Sequence, residues 1–280
     1  MTLICFYSGD NLTQLQEEIN TEMNKLKLWF DRNRLSLNVT KTKFVLFDNS
    51  RSNTQIKIKI DGVEIERVKE IKFLGVTIDE KLNWKSHIKH VQSKVSRSIA
   101  VINKAKRILD KKSLHTLYCS LVLPYFQYCI EVWGNNYKTS LNAITCLQKR
   151  AIRIINNVGY LEHTNSLFLQ SKLLKFADIV QYQTAQIMFK AKNLLLPKNI
   201  QKLFEEQEGD HYLRSKEQGN IKVHYRRTTG RSLFITNSGV ELWNSLTVEL
   251  KRCVNMKHFK INFKDMIFKK YSAEAGAGHH

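Results

Sequence analysis

The hydrophobic period of this chain changes at Trp84, and the change separates two kinds of structure. Before it, Ile56, Ile58 and Ile60 alternate with lysines, the period-two pattern of a half-buried strand. Asp61-Gly62 then supplies a two-residue hairpin turn, with Val63 and Ile65 on the return strand. Ile71–Ile78 reads as a third strand, and Thr2–Tyr7 and Leu37–Phe47 read as β-prone runs. Between those two runs, Leu12, Leu15, Ile19, Met23, Leu26 and Phe30 recur at three- and four-residue spacing. That spacing predicts an amphipathic helix of about 20 residues, capped from the Ser8-Gly9-Asp10-Asn11 turn.

Beyond Trp84 the period is helical. Ile88, Val91, Val95, Ile99, Ile102 and Leu109 mark one long helix, whose other face carries Lys85, Lys89, Lys94, Arg97, Lys104 and Arg107. A second helix is expected from a Ser113 cap to Pro124, continued by an apolar stretch, Tyr125–Trp133, that should be buried. Leu141–Asn157 predicts a third, with Ile144, Leu147, Ala151 and Ile155 inward and Lys149, Arg150 and Arg153 outward. Leu173–Leu196 predicts a fourth, ended by Pro197. A last amphipathic helix is expected over Met256–Tyr271.

Charge is divided at the same place. The net charge is +20, yet residues 1–80 are almost neutral, whereas residues 81–200 hold 19 basic and 4 acidic side chains. Cations gathered this way point to a polyanion, and nucleic acid is the commonest one. The plainer account, a solvated bundle surface, would mix both signs. The longest apolar run, around Leu121–Phe126, is far too short for a membrane span, so no membrane partner is expected. Five cysteines without paired spacing suit a reducing compartment, hence an intracellular protein of the cytoplasm or nucleus.

Motifs for self-contained chemistry are missing: the sequence has no P-loop, GxGxxG, GxSxG, CxxC or HExxH. His87 and His90 could present two metal ligands from one helix, but no carboxylate or cysteine nearby in sequence completes a site. Cys253 and His258 give half of a zinc-knuckle spacing. Asp79 ends a strand and is expected to cap the segment after it.

Three ordered segments carry a family resemblance. They are Leu35–Phe44 with its Asn38-Val39-Thr40-Lys41-Thr42, Ile71–Asp79 with Phe73-Leu74-Gly75, and Leu82–Ile88. They resemble reverse transcriptases of non-LTR retrotransposons, the jockey-like and related long interspersed elements. In that family the first looks like the palm's Asn-x-x-Lys-Thr motif, the second like the primer-grip hairpin, and the third opens the thumb. Leu123–Gly134 and Glu241–Leu246 resemble the post-thumb region.

The resemblance implies RNA-templated DNA synthesis in a parent polymerase. It places Lys41 near the departing pyrophosphate and Phe73, Leu74 and Gly75 at the primer end, with Lys43 beside them. Lys85, Lys89, Lys94, Arg97, Lys104, Arg107, Lys149, Arg150 and Arg153 would face RNA, an RNA–DNA hybrid or a DNA backbone. The family's Ala-Asp-Asp motif would lie just before Met1, so no catalytic or metal-binding residue is assigned here. Mg²⁺ is expected only in the full-length polymerase. Two alternatives stay open: a non-catalytic RNA/DNA-binding module, or an interaction scaffold using Tyr125–Trp133 and residues 232–271.

The expected architecture is α+β. A small N-terminal helix and antiparallel β-hairpin palm remnant (1–80) precede a mainly α-helical, thumb-like bundle (81–204). A linker or irregular loop (205–231), a mixed C-terminal segment (232–271) and a frayed tail (272–280) complete it.

Overall fold

A computed structural model describes residues 3–48, 56–204, 219–221, 223 and 232–277. The chain is α+β with helix predominating, and it forms two compact units, Met1–Trp84 and Lys85–His280.

In the first unit α1 (Leu12–Arg32) starts at Asn11, whose side chain accepts the backbone N–H of Thr13 and Gln14. It buries Leu15, Met23 and Phe30. Met23 packs with Ile56, Ile58, Ile60 and Ile65, and Tyr7, Leu12, Ile19, Leu37 and Phe44 close around them. β2 (Lys59–Ile60) and β3 (Val63–Glu64) pair antiparallel about Asp61-Gly62, with Ile60 opposite Val63. Both turn residues have positive φ, 53° and 75°, the backbone that Asp-Gly favours and most pairs resist.

Segment 57–61, which contains β2, has one edge covered by a helix. The side-chain oxygens of Gln16, Asn20 and Asn24 on α1 accept the backbone N–H of Lys57, Lys59 and Asp61 at 2.7, 2.8 and 3.0 Å. Four helical residues rise about 6.0 Å and two strand residues about 6.6 Å, so the two periods stay in step over three bonds. An edge that would otherwise face water is thereby satisfied.

Three expectations for this unit are corrected. Residues 3–7 form no strand. Within Leu37–Phe47 only β1 (Lys43–Phe44) pairs, parallel to β4 (Glu66–Arg67). Val39–Lys41 is a 3-10 turn, because the Asn38 side chain accepts the Lys41 N–H and draws the chain into a cap. Ile71–Ile78 is two strands rather than one: β5 (Glu70–Phe73) and β6 (Val76–Asp79) meet at Leu74-Gly75. The Asp79 carboxylate does cap the turn that leads into the helical unit, accepting from the N–H of Lys81, Asn83 and Trp84.

The second unit is a helical bundle. α2 (Lys85–Ala105) buries Ile88, Val91, Val95, Ile99 and Ile102. It packs against α3 (Lys111–Leu121) and α6 (Lys138–Ile155). α2 stops at Ala105, so Arg107 lies in the next turn rather than on the helix. Asp110, not Ser113, caps α3, since its carboxylate reaches the Ser113 N–H at 3.0 Å. Tyr125–Trp133 breaks into α4 (Leu123–Gln127) and α5 (Ile130–Trp133) at Cys129, whose φ is 49°. Phe126, Ile130 and Trp133 are fully buried there, but Tyr128 and Val132 are exposed.

α8 (Phe176–Lys192) is the single helix expected over Leu173–Leu196, shorter at both ends, and a separate α7 (Asn165–Gln170) precedes it; positive φ at Lys172 and Leu194 breaks the chain on either side of α8. α8 is the centre, with α4, α5, α6, α10 (Ile235–Ser245) and α12 (Met256–Ala277) packed on it. Short α9 (Lys198–Gln201) comes after α8, and α11 (Val248–Lys251) bridges α10 to α12. α10 approaches α8 closely at Gly239, where a Cβ would sit 2.8 Å from Met188 Sδ.

α12 continues beyond Tyr271 to Ala277, so fraying does not begin at Ser272. The Tyr271 hydroxyl donates to Asp178 and accepts the Lys175 N–H, and Lys175 Nζ pairs with Glu274 at 2.7 Å. These contacts hold the end of α12 onto the start of α8. The expected linker at 205–231 lies largely outside the described residues; within it Ile221 and Asn244 of α10 exchange two hydrogen bonds.

Candidate nucleic-acid interface

The cations of the second unit are set by the rotation of α2 and α6. One anchor is Gln148, 1% exposed, on α6. Its amide donates to the Tyr118 hydroxyl (3.0 Å) and the Leu174 carbonyl (2.9 Å) and accepts the Phe176 N–H (2.6 Å). With Gln148, Ala151, Ile152 and Ile155 turned inward, Lys149 and Arg150 turn outward and Arg153 is half-buried at the edge.

Between α2 and α6 runs an open groove of about 790 Å³, lined by Lys89, Lys149, Arg150 and Arg153 together with Ser93, Ser96 and Cys146. Tyr160 and Leu161, from the loop after α6, also line it. Among the described residues no carboxylate lines it. Arg153 is steered twice: its Nε donates to the Glu162 carbonyl at 2.8 Å, and its guanidinium lies 5.7 Å over the Tyr160 ring. Among the described residues, Lys89, Lys149, Arg150 and Arg153 make no salt bridge. Their charge is therefore not neutralised from within.

The structure thus joins Lys89 to the α6 cluster and leaves the other predicted cations off the lining. Lys85, Arg97 and Lys104 are exposed on α2, and Lys94 is half-buried about 140° round the helix from Lys89. Arg97 Nε bonds back to the Ser93 carbonyl. Arg107 lies past the helix end, exposed in the turn before α3.

The N-terminal candidates belong to the other unit. Lys41 is exposed on its 3-10 turn, and Lys43 pairs with Glu66 at 2.8 Å. Phe73 is half-buried beside the hairpin tip, while Leu74, 70% exposed, and Gly75 form the tip itself. Leu74 holds φ 43°, a left-handed conformation that costs a residue with a Cβ about 1–2 kcal/mol.

Sequence reasoning missed Tyr160, Leu161, Ser93, Ser96 and Cys146. Tyr160 had a signal, an aromatic behind Gly159 shortly after a cluster of three cations. The two serines and the cysteine had none. His87 is buried rather than on the surface, edge-on to Trp133 at 5.3 Å. Burial, helped by nearby His90, lowers its pKa to about 4. Among the described residues no three His, Cys, Asp or Glu side chains gather to hold a metal ion. No helix among them is long and apolar enough to cross a membrane.

No protein-family model matches this sequence, and no solved structure matches it. Curated relatives do. A probable RNA-directed DNA polymerase from transposon BS of Drosophila melanogaster is 28% identical over 161 residues, 55% of this chain and 17% of the relative. The RNA-directed DNA polymerase from mobile element jockey of the same species is 26% identical over 162 residues, 57% of this chain and 18% of that protein. A Pol polyprotein from a type-1 retrotransposable element R1 of Nasonia vitripennis is 21% identical over 54% of this chain and 39% of its own length. The matched stretch is thus under a fifth of the first two relatives. Over slightly more than half of its length, this chain is similar to the RNA-directed DNA polymerases of jockey-like and related non-LTR retrotransposons.

Proposed function

We propose that this chain is a nucleic-acid-gripping part of a non-LTR RNA-directed DNA polymerase, with the backbone of RNA, DNA or their hybrid lying along α2 and α6. One observation carries the reading: Lys89, Lys149, Arg150 and Arg153 converge on one groove that, among the described residues, no carboxylate lines. Phosphates displace counterions from such a surface, and the binding is largely independent of sequence. The polymerase names of the relatives support the same reading. Lys41 and the Leu74-Gly75 tip are a second, smaller contact, as the family resemblance implies; Lys43 contributes less while Glu66 pairs with it.

Polymerisation needs gathered carboxylates, and among the described residues no group of three or more His, Cys, Asp or Glu gathers to hold a metal ion. Asp79 is engaged by three backbone N–H groups, and Glu66 and Glu80 pair with Lys43 and Arg67. These residues do not fit a Mg²⁺ pair, and we assign them no step in nucleotidyl transfer. For the scaffold reading, Tyr125–Trp133 offers Tyr128 and Val132 at the surface, while Phe126, Ile130 and Trp133 are buried in the core.

Binding of a labelled RNA–DNA hybrid across a salt series tests the proposal. Four phosphate contacts give a log–log slope of about −3. Replacing Lys149, Arg150 and Arg153 by Ala reduces the steepness by about 2 and weakens binding alike for all sequences. A flat salt response, or no binding at low salt, refutes it. Template-dependent nucleotide incorporation by the purified chain would refute the non-catalytic part alone.

A further inference from the structure

The groove of the second unit is not a bare strip of positive charge. Helices packed face to face leave a furrow, here open to solvent with a volume of about 790 Å³. The lining carries something a phosphate backbone does not need: Tyr160, 77% exposed, and its neighbour Leu161, 87% exposed. An exposed ring offers a π face on which a base can stack.

Tyr160 is also held ready. The Arg153 guanidinium lies over its ring, and Arg153 is itself tied through Nε to the Glu162 carbonyl. Ring and guanidinium together form a π and cation surface on which a nucleobase stacks. The same groove is lined by Ser93 and Ser96 and by Lys89, Lys149 and Arg150. A base inside a duplex cannot reach Tyr160, because its faces are already covered by its neighbours.

We propose that this groove takes an unpaired nucleotide, its base stacked on Tyr160 and its flanking phosphates on Lys89, Lys149 and Arg150. The chain then prefers a nucleic acid with a single-stranded overhang to a blunt duplex. The inference rests on the nucleic-acid reading above and narrows it to a substrate class.

The experiment uses the full chain and two probes, a blunt RNA–DNA hybrid and the same hybrid carrying a single-stranded oligouridine overhang. Fluorescence anisotropy gives each affinity. The wild-type chain binds the overhang probe more tightly. Tyr160→Ala weakens that probe about tenfold, as loss of one base stack does, and leaves the blunt hybrid unchanged. Tyr160→Phe keeps the stack and the preference. Tyr160 is too exposed for either change to disturb folding. Cys146, exposed and lining the groove, reports location: the overhang probe slows its alkylation, read by peptide mass, more than the blunt hybrid does.

Equal affinity for the two probes overturns this inference and leaves nucleic-acid binding standing. So does a Tyr160→Ala effect that is absent or the same on both, or a Tyr160→Phe loss as large as that of Ala. Failure to bind either probe at low salt overturns the broader reading as well.

Discussion

Gln148 is where the fold of the second unit and its charged groove are joined, and replacing it by Leu tests that connection. Leucine nearly preserves the volume and adds no strain to α6, so the change is confined to hydrogen bonding. It strands the Tyr118 hydroxyl, the Leu174 carbonyl and the Phe176 N–H, all of which Gln148 now satisfies in a buried setting. A buried polar group left without a partner costs about 1–3 kcal/mol. Three such groups with partial relaxation give a loss of about 4 kcal/mol. Urea unfolding tracked by the fluorescence of buried Trp133 and Trp243 would read this as a midpoint lowered by about 1.5 M, for a slope near 2.5 kcal/mol per molar. The same variant loosens the rotation that turns Lys149 and Arg150 outward, so affinity for a hybrid falls with stability. A loss under about 1 kcal/mol would show that Gln148 only fills space, and would refute its role as the anchor of α6.

The geometry gives two further outcomes. His87 is neutral in the folded chain down to a pKa of about 4, whereas in the unfolded chain it titrates near 6.5. The unfolded state therefore binds the extra proton between those values, and stability falls as pH drops through that window, by about 3 kcal/mol at the bottom of it. Urea midpoints measured at stepped pH show the slope, and His87→Phe flattens it; an unchanged slope would place the acid sensitivity elsewhere. In the first unit, replacing Gln16, Asn20 and Asn24 together by Ala removes the acceptors of three strand N–H groups while improving helix propensity on α1. Hydrogen exchange at Lys57, Lys59 and Asp61 should speed about tenfold with little change in global stability, and retained protection would mean those amides are covered by something else.

The elements that sequence reading placed well are those whose signal is local. α1 begins and ends close to its apolar periodicity, and Asp61-Gly62 turns where a two-residue loop with positive φ demands it. Where a single polar side chain competed with the periodic pattern, the pattern lost. Asn38 pulled Val39–Lys41 out of a strand and Asp110 displaced Ser113 as a cap, because one well-placed acceptor outweighs a weak propensity. Propensity read Ile71–Ile78 as one strand, since a leucine at positive φ is not what it predicts, whereas the hairpin that the family resemblance implied there is present and turns at Leu74-Gly75.

The sequence by itself determined that the chain is mostly helical beyond Trp84 and that its cations gather there, because period and charge are properties of neighbours along the chain. Only the tertiary structure decided which cations lie together. Lys89 and Arg150 stand about sixty residues apart and line one groove because α2 and α6 bury matching apolar faces against each other. Lys94, on the same helix as Lys89, is excluded by the angle at which that face is set. The same holds for the amides of α1, which read as solvated polar residues until packing brings a strand edge alongside them.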